Sequence, residues 1–69
     1  MMEVTLYIRE HREAKGMNCE DLAAASGVCV TNLYAHERNA AWPSRISFAR
    51  YCRALGVEPG ELFSKPKGV

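Results

Sequence analysis

The stretch CEDLAAASGVCVTNLYAHER, residues 19 to 38, decides the fold. Asn18 just before it can cap a helix, and Glu20 and Asp21 put negative charge where a helix amino end favours it. Leu22 supplies the apolar contact, and the small residues around Ala23 let another helix approach closely. Ser26-Gly27-Val28 then makes a tight turn, with Gly27 supplying the positive φ that a β-carbon would oppose. From about Val30 to Glu37 or Arg38 the pattern is helical again, with Leu33 and His36 on the inner face. Asn39 can end this helix in a left-handed conformation. The stretch therefore predicts two short helices joined by a sharp turn.

Outward from it the punctuation continues to cut helical pieces. A first helix is expected from about Glu3 to Lys15, with Val4, Ile8 and His11 at helical spacing and Gly16 as its stop. Pro43 precedes a fourth helix, about Ser44 to Leu55, whose stripe is Phe48, Tyr51 or Cys52, and Leu55. Gly56 ends it. Pro59 fits the first turn of a short fifth helix ending near Leu62-Phe63. Residues 64–69 carry Lys, Pro and Gly and read as a frayed tail after a single domain over residues 1–63. No alternating run argues for a strand. The expected class is all-α, a compact five-helix domain whose apolar stripes share one core.

With 69 residues the chain buries only about 60% of the surface it exposes unfolded. A core of that size supplies roughly 3–5 kcal/mol and leaves little room for an internal active site. No Ser/His/Asp or Cys/His catalytic motif is present, so an enzyme is not expected. The net charge of +1 does not by itself announce a nucleic-acid partner, so the placement of charge has to decide. Cys19, Cys29 and Cys52 are three, without a C-x-x-C pair, which fits neither a disulfide framework nor a standard zinc site. They read as reduced thiols of a cytoplasmic protein, with no metal or cofactor implied. No secretory signal is visible, and no apolar run approaches the roughly 18–20 residues of a membrane span, so no membrane partner is expected.

The two helices and turn of residues 19–38 have the layout in which a first helix crosses the DNA backbone and a second enters the major groove. The surrounding residues carry a resemblance. They are REHREAKGM at 9–17, then Asn18, Glu20 and Leu22-Ala23, and Ser26-Gly27-Val28. Glu37-Arg38-Asn39, Pro43-Ser44, RALGV at 53–57 and Glu61-Leu62-Phe63 follow in order. From Ile8 to Phe63 the chain resembles the XRE family, the helix-turn-helix domains of the phage Cro and lambda-repressor type.

That resemblance implies a homodimer on a palindromic operator in double-stranded DNA. By position, Val30, Thr31, Tyr34 and Ala35 become base contacts. Cys19, Asn32, Arg38, Asn39 and Arg45 become backbone contacts, Cys19 through amides at its helix start. Arg12 and Glu37 match a structural ion pair, and Val57, Pro59, Leu62 and Phe63 a dimer interface anchored by exposed Leu62 or Phe63. Two positions depart from the family pattern, since Cys19 stands where many members have Gln and Cys29 where Ser or Thr is common. The base-reading set also lacks Arg, Gln and Asn, which shifts weight to methyl contacts and DNA shape.

The resemblance implies a sequence-specific transcriptional regulator, most simply a repressor. The alternatives are a protein-interaction module of the same fold with weak DNA binding, and an antitoxin or restriction-controller protein. His11 and His36 read as partly buried histidines with one hydrogen bond each, against a pH switch or metal site. The cysteines read as packing groups, against a redox sensor. Trp42 and Tyr34 either stack near the phosphates or, for Trp42, cover the loop before the fourth helix. Arg50 and Arg53 read as a solvated helix face, against DNA contact.

Overall fold

A computed structural model describes residues 5–66, and every regular element among them is helical. The elements are α1 (Ile8–Ala14), α2 (Cys19–Ser26), α3 (Val30–Glu37), α4 (Arg45–Leu55) and a terminal 3-10 helix (Pro59–Phe63). The expected fifth helix is thus one 3-10 turn, opened by Pro59 and by a reciprocal cap between Glu58 and Glu61.

Local chemistry explains the boundaries. Asn18 Oδ1 accepts from the Asp21 amide at 2.7 Å, and Asp21 Oδ2 accepts from the Asn18 amide at 3.1 Å. This capping box starts α2. Gly27 ends it at φ +74°, and the Ser26 hydroxyl bridges the turn by donating to the Leu22 carbonyl and accepting from the Val28 amide. Ser44 is the cap of α4 rather than its first residue, with its hydroxyl accepting from the Ser47 amide.

Helix α1 differs from expectation at its amino end. Residues 3 and 4, including Val4 of the expected stripe, lie outside the described residues, and residues 5–7 are not helical. Their backbone is used elsewhere. The Leu6 amide donates to Asn39 Oδ1 at 2.9 Å, and Asn39 Nδ2 donates back to the Leu6 carbonyl at 3.2 Å. The Tyr7 amide donates to the Leu62 carbonyl at 2.8 Å. Tertiary bonds thus replace a helical turn that local propensity alone would allow.

The core is Leu6, Ile8, Leu22, Val28, Leu33, Tyr51, Cys52, Leu55 and Leu62. Tyr51 and Cys52 are both inside, so the sequence alternative between them resolves to both, while Phe48 is half-buried at the rim. Helix α4 packs across α2, and α2 packs against α3. The rare charged residue within is Arg12. Its Nε donates to Glu37 Oε2 at 2.7 Å, Nη2 to Glu37 Oε1 at 3.3 Å, and Nη1 to the Met17 carbonyl at 2.9 Å. The two side chains are 11% and 7% exposed, so water screens the pair little.

Glu37→Met is expected to cost about 3–5 kcal/mol, because it leaves the Arg12 charge buried without its partner. That is about the whole stability of a domain this small, so circular dichroism should find the single variant largely unfolded before any urea is added. Arg12→Met combined with Glu37→Met should recover most of the loss; a double variant no more stable than the single would contradict this account.

Candidate nucleic-acid interface

Helix α3 presents one face to solvent and one to the core. Leu33 and His36 point inward. Thr31, Tyr34, Ala35 and Arg38 follow at i, i+3, i+4 and i+7, which places them along the opposite face. Thr31 and Arg38 are exposed, Tyr34 is 49% exposed, and Ala35 is half-buried. Val30 flanks this face half-buried, and Asn32 flanks it exposed. Beside it a groove of about 610 Å³ runs between α1, the start of α2 and α3, lined by Arg9, Cys19, Thr31, Tyr34 and Arg38 along the Arg12–Glu37 pair.

The expected backbone-contacting residues divide. Arg38 and Arg45 are exposed, at the end of α3 and the start of α4. Asn39 adopts φ +57°, as its place after α3 suggested, but its side-chain amide is committed to Leu6. A phosphate role for that amide therefore competes with the bonds that hold the chain before α1. Cys19 turns its thiol inward, with Sγ 3.8 Å from Glu37 Oε1. Burial and the nearby Glu37 carboxylate push this thiol up, so it stays protonated.

Leu62 corrects an expectation. It was to be an exposed dimer anchor, yet it is fully buried, because the 3-10 helix turns it into the core and its carbonyl holds Tyr7. Of the same group, Val57 is half-buried against the core, while Pro59 and Phe63 are exposed. Phe63 packs between Trp42 and Phe48, at ring-centre distances of 6.5 and 5.9 Å. Trp42 (55% exposed) and Phe63 (45% exposed) thus form one aromatic patch that the sequence reading did not assemble. Nothing in a linear pattern pairs residues so far apart.

Both histidines make internal bonds. His11 Nε2 lies 2.8 Å from the Glu61 carbonyl and 2.9 Å from the Ser64 carbonyl, so that nitrogen carries a proton and donates. Ser64, the first residue of the expected tail, is therefore held to α1. His36 Nδ1 lies 2.6 Å from the Tyr51 hydroxyl, edge to face with the ring. Burial holds His36 below the ordinary imidazole range. Burial, reinforced by Glu37, pushes Tyr51 up to about 12. Among the described residues no three His, Cys, Asp or Glu side chains converge as a metal site would require.

Cys29 sits at the amino end of α3 and is exposed. The neutral thiol makes no capping bond, but the Thr31 and Asn32 amides favour the thiolate and lower its pKa. Burial raises that of Cys52.

Comparison with known proteins agrees with this geometry. The family model described as Helix-turn-helix matches residues 8–62. The crystal structure of the restriction-modification controller protein C.AhdI from Aeromonas hydrophila superposes with a TM-score of 0.79 at 37% sequence identity. The match covers 83% of this chain and 86% of that one. No curated protein sequence matches.

Two measurements check these electrostatics. Under limiting iodoacetamide near neutral pH, mass spectrometry should find Cys29 alkylated well before Cys19 or Cys52; equal rates would refute the lowered pKa. The stability profile should also fall at both ends. Below the ordinary imidazole value of 6.5 the unfolded chain takes up a proton that folded His36 resists. From 10.0 to about 12 the unfolded tyrosine ionises while folded Tyr51 does not, so stability drops as pH rises. Tyr51→Phe should remove its part of the alkaline loss and cost about 1–2 kcal/mol at neutral pH, since His36 Nδ1 loses its partner.

Proposed function

The chain belongs to the XRE family of helix-turn-helix proteins and is a DNA-binding transcriptional regulator; from that premise we propose that it binds a palindromic operator as a homodimer, with α3 in the major groove, and represses by excluding polymerase. The observation that carries this reading is the outward face of α3, free of the core and fixed through Glu37 to α1. Thr31 offers a hydroxyl to base edges, Val30 and Ala35 offer methyl groups to thymine, and Tyr34 reaches the groove wall. Arg38, Arg45 and the α2 amides at Cys19 hold phosphates, with Asn32 beside them.

A homodimer fits the aromatic patch of Trp42 and Phe63, with Val57 and Pro59 along the same end of the chain. Two such patches covering each other would remove both half-exposed rings from water in a self-complementary contact. Half-sites would then lie about one helical turn apart.

The likeness to C.AhdI favours a second reading within the same chemistry, that the chain controls restriction-modification genes. DNA binding is common to both readings, and the position of the recovered operator relative to such genes separates them. We also take the working location to be the cytoplasm; among the described residues no helix is long and apolar enough to cross a membrane.

Selection from random duplex DNA at two salt concentrations should recover a palindrome. Affinity should fall with a log–log salt slope of about −3 to −4, as expected for Arg38 and Arg45 from two protomers. Arg45→Ala should flatten the slope by about one per protomer without changing the recovered motif. Thr31→Ala should instead relax the motif at one position per half-site. No enriched motif and no binding at low salt would overturn the proposal.

A further inference from the structure

Helix α4 has a second face that the core does not use and that meets the proposed operator contact only at Arg45. Its inward stripe is Tyr51, Cys52 and Leu55. On the other side Ile46, Ala49, Arg50 and Arg53 follow at i, i+3, i+4 and i+7, with Arg45 beside them. These five residues line a shallow hollow of about 430 Å³. Ile46 is 66% exposed, a higher value than that of Tyr34, Trp42 or Phe63.

The charge on this face is of one sign. Helix α4 contains three arginines and no carboxylate. Among the described residues the ion pairs are Arg9–Glu13 and Arg12–Glu37, so none of the three is paired. Arg45 also stands in the first turn, where the helix dipole opposes a positive charge. Arg50 reaches towards the α2–α3 turn, with Nη1 3.7 Å from where a β-carbon on Gly27 would stand.

We propose that this face of α4 docks an acidic amphipathic helix of a partner protein, with an apolar side chain of that helix seated on Ile46 and Ala49 and its carboxylates meeting Arg50 and Arg53, the two arginines that the proposed operator contact does not use. Charge complementarity sets the partner's sign, since the face offers donors in a guanidinium geometry that matches carboxylates and supplies no acceptor of its own. The exposed isoleucine sets the class. A phosphate backbone gains nothing from an apolar side chain, whereas a helix laid in a groove uses one as its anchor. Such a contact leaves α3 free and makes this end of the domain a platform for a second protein.

The test uses the full chain without DNA and a fluorescein-labelled helical peptide bearing one leucine with glutamates a turn to either side. The control peptide carries lysines in place of the glutamates. Anisotropy should rise with the glutamate peptide only, and the affinity should weaken with salt. Ile46→Ser should weaken it about tenfold. The combined Arg50→Gln and Arg53→Gln variant should weaken it further, while both variants keep the duplex affinity and salt slope of the parent. Ile46 is exposed, so Ile46→Ser is tolerated by the fold, and matching thermal melts check this. Equal peptide binding by parent and Ile46→Ser overturns the proposal, as does failure of the glutamate peptide to bind. A flatter salt slope for duplex DNA in the arginine variant assigns the face to DNA instead. A protein that binds no operator but still binds the peptide would overturn the function proposed above and leave this inference standing.

Discussion

One buried ion pair governs how this domain can work. Arg12 on α1 holds Glu37, the last residue of α3, through two nitrogens, and its third contact closes on the Met17 carbonyl before α2. Three segments are thereby tied at one guanidinium. An apolar contact would allow these helices to slide, whereas a forked, charge-assisted pair has one good geometry. Cys19 packs its thiol against the same carboxylate, with Sγ 3.8 Å from Glu37 Oε1.

A small core leaves much of the remaining order to polar cross-links. Asn39 pins the backbone of Leu6, His11 gathers the carbonyls of Glu61 and Ser64, and Tyr51 meets His36. Each bond joins residues far apart in the chain. Among the described residues no buried side-chain nitrogen or oxygen lacks a partner. In an interior this small, each unpaired polar group would consume a large share of the total stability. The same economy constrains function: Asn39 and Leu62, whose positions suggested surface roles, are engaged in holding the fold.

What remains on the surface separates into regions of different chemistry. The outward face of α3 mixes the Thr31 hydroxyl, the Tyr34 phenol and small apolar groups with a terminal arginine. The patch of Trp42 and Phe63 is aromatic and without a charge of its own. The α4 face is cationic around an isoleucine. On the proposals made above these are a DNA reader, a self-association surface and a partner-docking surface. An almost neutral chain accommodates all three because its charges are segregated rather than few.

The sequence by itself determined the helical class, the sharp turn at Gly27, the capping of α2 by Asn18, the starts of α2 and α3, and the end of α4. These depend on local constraints: a positive φ, a side-chain cap, an apolar residue every three or four positions. It also placed Arg12 opposite Glu37, though through a family pattern rather than through spacing. Only the tertiary structure decided that α1 begins at Ile8, that Tyr51 is buried beside Cys52, that Leu62 is buried while Phe63 joins Trp42, and that Asn39 serves Leu6. Those outcomes depend on which distant backbone groups come within hydrogen-bonding reach and which ring fills which gap. Local propensity carries no information about either, because the partners meet only after the chain has closed on itself.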